Sequence, residues 1–130
     1  MTPSARSTPQ RTLRPCPKTP NCVSTQSADA KHRMEPLPYA DLEEARARLL
    51  AILAGKANAK VVTVEPTYVH AEFRSALFRF VDDVELLFDE TARRLHFRSA
   101  SRVGRSDFGV NRKRMEEIAR EFRERAPGRQ

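Results

Sequence analysis

The chain has no tryptophan, three histidines, two cysteines and four glycines in 130 residues. The cysteines, Cys16 and Cys22, are separated by five residues, too wide for a C-x-x-C redox motif. Only His32 lies near enough in sequence to add a metal ligand, so no metal site is expected. A local disulfide is allowed by the spacing and would imply an oxidising compartment. The glycines form no phosphate-binding loop, and no cofactor is expected. No nucleophile–base pair stands out. No apolar run approaches the ~20 residues of a membrane-spanning helix. Residues 1–15 carry Arg6, Arg11 and Arg14 with no apolar stretch after them, so no secretory leader is read. That absence favours the cytoplasm; the periplasm follows only if the true N-terminus lies upstream.

Basic residues exceed acidic ones by seven, but the excess is uneven. Residues 1–34 hold six basic residues and one acidic residue, whereas residues 35–130 hold 18 and 16. Residues 1–14, rich in Pro, Ser, Thr and Arg, read as a disordered basic tail. Residues 15–126 read as one domain. A basic tail attracts any polyanion, so specific nucleic-acid recognition is not expected. The prolines of residues 15–22 predict an extended entry, and residues 23–38 continue over the surface without periodicity.

Asp41, with Glu44 three residues on, predicts a capped helix start. Leu42, Ala45, Leu49, Ile52 and Leu53 form its apolar stripe, with Glu43, Arg46 and Arg48 on the other side and Gly55 as its stop. Strands are predicted over 61–65, 68–75, 78–89 and 94–101. In the third, Phe78, Phe80, Asp82, Val84, Leu86 and Phe88 share one face; Asp83 and Glu85 share the other. A second helix over 111–125 carries Met115, Ile118, Ala119 and Phe122 on its apolar side. The expected fold is α+β: a four-stranded antiparallel meander with both helices packed on one face.

Two features could carry chemistry. The strand-to-helix segment 98–114 holds six basic residues and one acidic residue. Its Arg98, Ser99, Ser101, Arg102, Asn111, Arg112 and Arg114 are candidate anion ligands, aided by the second helix's N-terminus. Gly104 and Gly109 permit positive-φ turns, and Arg105 and Lys113 are expected in solvent. The competing reading is architectural, with these groups clamping the loop to the sheet. Asp82, on an apolar face, needs a partner; Arg102, Arg112 and Arg114 are the candidates. On the uncovered face, Asp83 and Glu85 lie among His70, Glu72, Arg74, His96 and Arg98. These are cross-strand charge pairs or, if something closes a cleft over them, acid–base groups.

Three stretches share a further property. Cys16-Pro17, Pro20-Asn21-Cys22-Val23-Ser24-Thr25-Gln26, then Phe73-Arg74-Ser75 with Phe78-Arg79-Phe80-Val81-Asp82-Asp83-Val84-Glu85, then the whole of 98–114, closely resemble the domain of unknown function 1499 family. The resemblance implies that Cys16 and Cys22 belong to the domain, and it favours a periplasmic disulfide. The sequence departs from that family in its missing apolar leader and in Arg105, where an aromatic residue is expected. The expected function is that of a small soluble, non-enzymatic binding or accessory domain. Its partner would be a small anion, a lipid head group or an acidic protein at the arginine-rich loop. The alternative is an enzyme using Asp82, Asp83 or Glu85 with those arginines.

Overall fold

A computed structural model describes residues 12–74, 80–103 and 109–128. Its elements run β1 (Cys22–Ser24), β2 (Leu37–Pro38), α1 (Leu42–Ala54), β3 (Ala59–Glu65), β4 (Tyr68–Arg74), β5 (Val81–Asp89), β6 (Arg94–Ser101) and α2 (Val110–Glu124). Strands β3 to β6 form the expected antiparallel meander, and the class is α+β. The sheet is wider than four strands. The β1 and β2 strands pair end to end with the outer edge of β6, Cys22 opposite Ala100 and Leu37 opposite Leu95. Between them the Thr25 hydroxyl extends the ladder, accepting from the Phe97 amide at 3.0 Å. The segment expected to drift over the surface is therefore a broken edge strand. Pro38, which lacks an amide proton, is tolerated because its site is an edge.

Helix α1 starts as its sequence predicts: the Asp41 carboxylate accepts from the Glu44 amide at 2.8 Å. Gly55 closes it in a right-handed conformation. One apolar core joins both helices to one sheet face. Ala45, Leu49, Ile52 and Leu53 of α1, and Met115, Ile118, Ala119 and Phe122 of α2, meet Val69, Ala71, Phe73, Val84, Leu86, Phe88, Leu95 and Phe97. Phe80 precedes β5 and is half exposed, outside that core. Ser75, Phe78 and Arg79 lie outside the described residues. Among the described residues, no helix is long and apolar enough to cross a membrane.

Arg48 departs from the solvent position assigned to it. It is buried between the helices, stacked 3.8 Å from the Phe122 ring centroid, and donates to the Phe122 carbonyl at 2.8 Å. That carbonyl is in the last turn of α2, where no intrahelical partner exists. An arginine there answers both the open acceptor and the helix dipole. Burial lowers its pKa, opposed by nearby Glu44.

The opposite sheet face is not bare. Leu13, assigned to the tail by composition, is buried in a small cluster with Tyr68 and Leu87. Residues 12–16 thus form a strap across that face. The Cys16–Cys22 disulfide joins the strap to β1, their Cα atoms 5.7 Å apart.

Replacing Arg48 by Met keeps the apolar stem but leaves the Phe122 carbonyl unpaired. We expect a stability loss of about 1–2 kcal/mol in urea unfolding. Arg120→Ala, which removes an exposed pair with Glu124, should change stability by less than about 0.5 kcal/mol.

Candidate functional site

The pleat divides the 98–114 segment into two sets. Ser99 and Ser101 point to the helix side of the sheet; Arg98 and Arg102 act on the other side. On the helix side, Asp82 meets Arg114 at 2.8 Å, the partner its burial demands. Arg114 also donates to the Asn111 side-chain oxygen at 2.8 Å and lies over the Phe73 ring. Ser99 donates to the same oxygen at 2.5 Å. The Asn111 amide group donates to the Ser101 hydroxyl at 3.0 Å and the Asn21 carbonyl at 3.2 Å. The network holds the start of α2 against β1, β5 and β6. Gly109 precedes it at φ 81°, the left-handed turn expected of a glycine here. Arg112 ties the helix to the 25–36 loop, donating to the Lys31 carbonyl at 3.0 Å. Gly104 and Arg105 lie outside the described residues.

The other side carries separate polar groups under the strap. Glu72 faces Asp83 across β4 and β5, and Glu85 faces Arg98 across β5 and β6. Arg102, half exposed, donates through Nε to Asp83 at 2.7 Å and through Nη2 to Glu72 at 2.7 Å. His70 Nε2 sits 2.8 Å from the other Asp83 oxygen. Tyr68 donates to Glu85 at 2.6 Å. His96 is held by Thr25, Nδ1 to Oγ1 at 2.8 Å, and its burial lowers its pKa.

One atom of each of His70, Glu72 and Asp83 lies within 4.8 Å of the others, a spacing that could hold a divalent cation. The Arg102 guanidinium already bridges the two carboxylates. His32, the other histidine considered for a metal, bonds Asp29 and the Thr19 carbonyl. Cys16 and Cys22 are committed to each other.

Beside the Arg102 cluster is a cavity of about 290 Å³, lined by Arg14, Asp83, Arg98, Ala100, Ser101 and Arg102. Arg98 is only 6% exposed. Among the described residues its Nε has no hydrogen-bond partner. Its other nitrogens make long contacts, 3.7 Å to Glu85 Oε1 and 3.5 Å to the Pro15 carbonyl. Burial lowers the Arg98 pKa, and the positive charge of Arg14 lowers it further. The geometry is that of a desolvated guanidinium with donor capacity left over, facing two more arginines.

The sequence-predicted residues therefore divide. Arg98, Ser101 and Arg102 line the cavity, with Asp83 beside them. Ser99, Asn111 and Arg114 are bound into the Asp82 network, and Arg112 into a loop clamp. Asp82 and Asp83 are on opposite faces, and Glu85 is bonded to Tyr68. Arg14 is the residue that sequence reasoning missed. Its only signal was its place next to the Pro15-Cys16 start of the family-like motif.

Asp83 has a pKa held below the ordinary carboxylate range, first by its hydrogen bond from Arg102 and then by that from His70; burial opposes both. Its contribution to stability is therefore present above about pH 3.9 and is lost as pH falls through the lower folded value. NMR titration of the carboxyl carbons should place the Asp83 midpoint below about 3.9, and Arg102→Ala should raise it. An unmoved midpoint in the variant would contradict the assignment of the cause.

No curated protein and no solved structure matches the chain. The family described as Protein of unknown function (DUF1499) matches residues 12–122, beginning at the strap and ending in α2. The matched span takes in the disulfide, the Asp82 network and every cavity-lining residue, and the chain belongs to the DUF1499 family.

Proposed function

We propose that this protein is a binding domain for a small phosphate- or carboxylate-type anion, held between the strap and the sheet by Arg14, Arg98 and Arg102. The observation that carries this reading is the buried Arg98 guanidinium with its unpaired Nε, set in a cavity with two further arginines. A buried cation costs free energy unless paired, and here its acidic neighbour Glu85 stands 3.7 Å away. An anion between Arg14 and Arg98 would offset their mutual repulsion and neutralise the buried guanidinium. Guanidinium groups suit this task because two parallel N–H bonds match a carboxylate or phosphate edge. Low local dielectric strengthens the attraction.

A cavity of about 290 Å³ favours a small free anion over a flat acidic protein surface or a membrane plane. Of the seven loop residues first considered, Arg98 and Arg102 serve this role in our reading; Ser99, Ser101, Asn111, Arg112 and Arg114 support the scaffold. Catalysis through the sheet carboxylates has weaker support. Arg102 keeps Asp83 ionised, which suits an acceptor and not an acid, and Asp82 is on the far face.

The test is calorimetry of non-reduced protein with inorganic phosphate and with citrate at low and high salt. Binding should weaken with ionic strength, since Arg14 and Arg102 are solvent-accessible. Arg14→Ala should lower affinity several-fold with the fold intact, and Arg98→Gln should lower it further. Arg120→Ala, outside the site, should leave it unchanged. No binding of either anion at millimolar concentration, or equal binding by the Arg14→Ala protein, would overturn the proposal.

A further inference from the structure

The strap that completes the cavity is attached to the rest of the domain in three ways. Leu13 is inserted between Tyr68 and Leu87. Among the described residues, 12–16 make one hydrogen bond to the sheet, from Arg98 to the Pro15 carbonyl, at a long 3.5 Å. The third attachment is the bond from Cys16 to Cys22. The two cysteines are unequally placed. Cys22 is buried in β1, registered against Ala100 of β6, whereas Cys16 is only partly buried and in no strand. Breaking the bond would leave Cys22 in the sheet and free only the strap. The conformational freedom that five residues regain then opposes the burial of a single leucine.

We infer that the Cys16–Cys22 disulfide is a redox latch on the anion site, closed when oxidised and opened by a dithiol reductant. This inference rests on the anion-binding reading given above. Cys16, the less buried of the two, is the point of attack. A thiolate of the reductant forms a mixed disulfide with Cys16, and Cys22 leaves as a thiolate that takes up a proton. The second thiol of the reductant, as thiolate, then closes on its own mixed-disulfide sulfur. Cys16 is released and protonated, and the reductant ends as a disulfide. Two electrons and two protons reach the protein. With the strap released, Arg14 leaves the cavity, the Pro15 carbonyl leaves Arg98, and water reaches the Arg98 guanidinium. A bound anion then loses one cation and its low-dielectric surroundings together.

The latch also fixes where its effect is felt. The Asp82 network and the helix-side core lie on the other face of the sheet, and among the described residues neither shares a hydrogen bond or ion pair with residues 12–16. Opening should therefore be local, with the meander and both helices intact.

The experiment compares oxidised protein, protein held in dithiothreitol, and the Cys16→Ala/Cys22→Ala double variant. Thiol titration confirms each state. Hydrogen exchange reports the strap and the sheet separately, and calorimetry reports phosphate affinity. Reduction should raise exchange at Leu13, Arg14 and Cys16, leave β4 and β5 protected, and weaken phosphate binding at least tenfold. The double variant should behave as the reduced protein does. Two free thiols with unchanged strap exchange would overturn the latch whether or not phosphate binds. Strap opening with unchanged affinity would overturn its control of the site. Strap opening in a protein whose oxidised form binds no phosphate would instead overturn the anion-binding reading, and with it any role of the latch there.

Discussion

The structure depends on the pleat of β5 at two adjacent carboxylates. Asp82 and Asp83 are neighbours in sequence and face opposite sides of the sheet. Asp82 is buried beside Phe73 and Val84, and a carboxylate there needs a hydrogen-bonded partner. Arg114 supplies it, and in doing so fixes the first turn of α2. Asp83 gathers Arg102 and His70 on the other face. A shift of one residue in the register of β5 would exchange the two roles and turn Val84, Leu86 and Phe88 away from the helices. The two-residue period thus decides both how the helices dock and which arginines line the strap-side cavity.

The networks on the two faces differ in kind. On the helix side, Asp82, Arg114, Ser99, Asn111 and Ser101 satisfy one another within a short radius. Such a closed set rigidifies a joint, because each member has its geometry fixed by the others. On the strap side, Arg98 remains incompletely paired, and so does the Glu85 Oε1 atom near it. A buried donor without a partner costs about 1–3 kcal/mol. The proposed anion would offset part of that cost.

Much of this was legible in the residues. The capping pair at Asp41 and Glu44, the helical stripes and the alternation of β4 to β6 are local patterns, and local patterns determined those elements. The need of Asp82 for an arginine was legible for the same reason, since a carboxylate in an apolar register demands one. Other features depend on contacts across the chain. Nothing around Leu13 and Arg14 distinguishes them from the tail before them; their place is set by Tyr68, Leu87 and Arg98, more than 50 residues on. Arg48 read as a solvent residue because its helix spacing says nothing of the carbonyl at the end of α2. Thr25 could not be read as ladder-forming, because its role requires the edge of β6. Alternation could have split the 98–114 segment into its two sets, since Ser99 and Arg98 already oppose each other along β6. Density of polar residues made it look like one site.

The central claim is that Arg98 is a buried anion receptor completed by Arg14. The Nε–H resonance of Arg98 in the oxidised protein tests it directly, because that atom lacks a partner. Titration with inorganic phosphate should move this resonance downfield and slow its exchange with water, in a saturable manner lost in Arg14→Ala. An Arg98 Nε–H signal that stays in place while phosphate is raised to tens of millimolar would contradict the account.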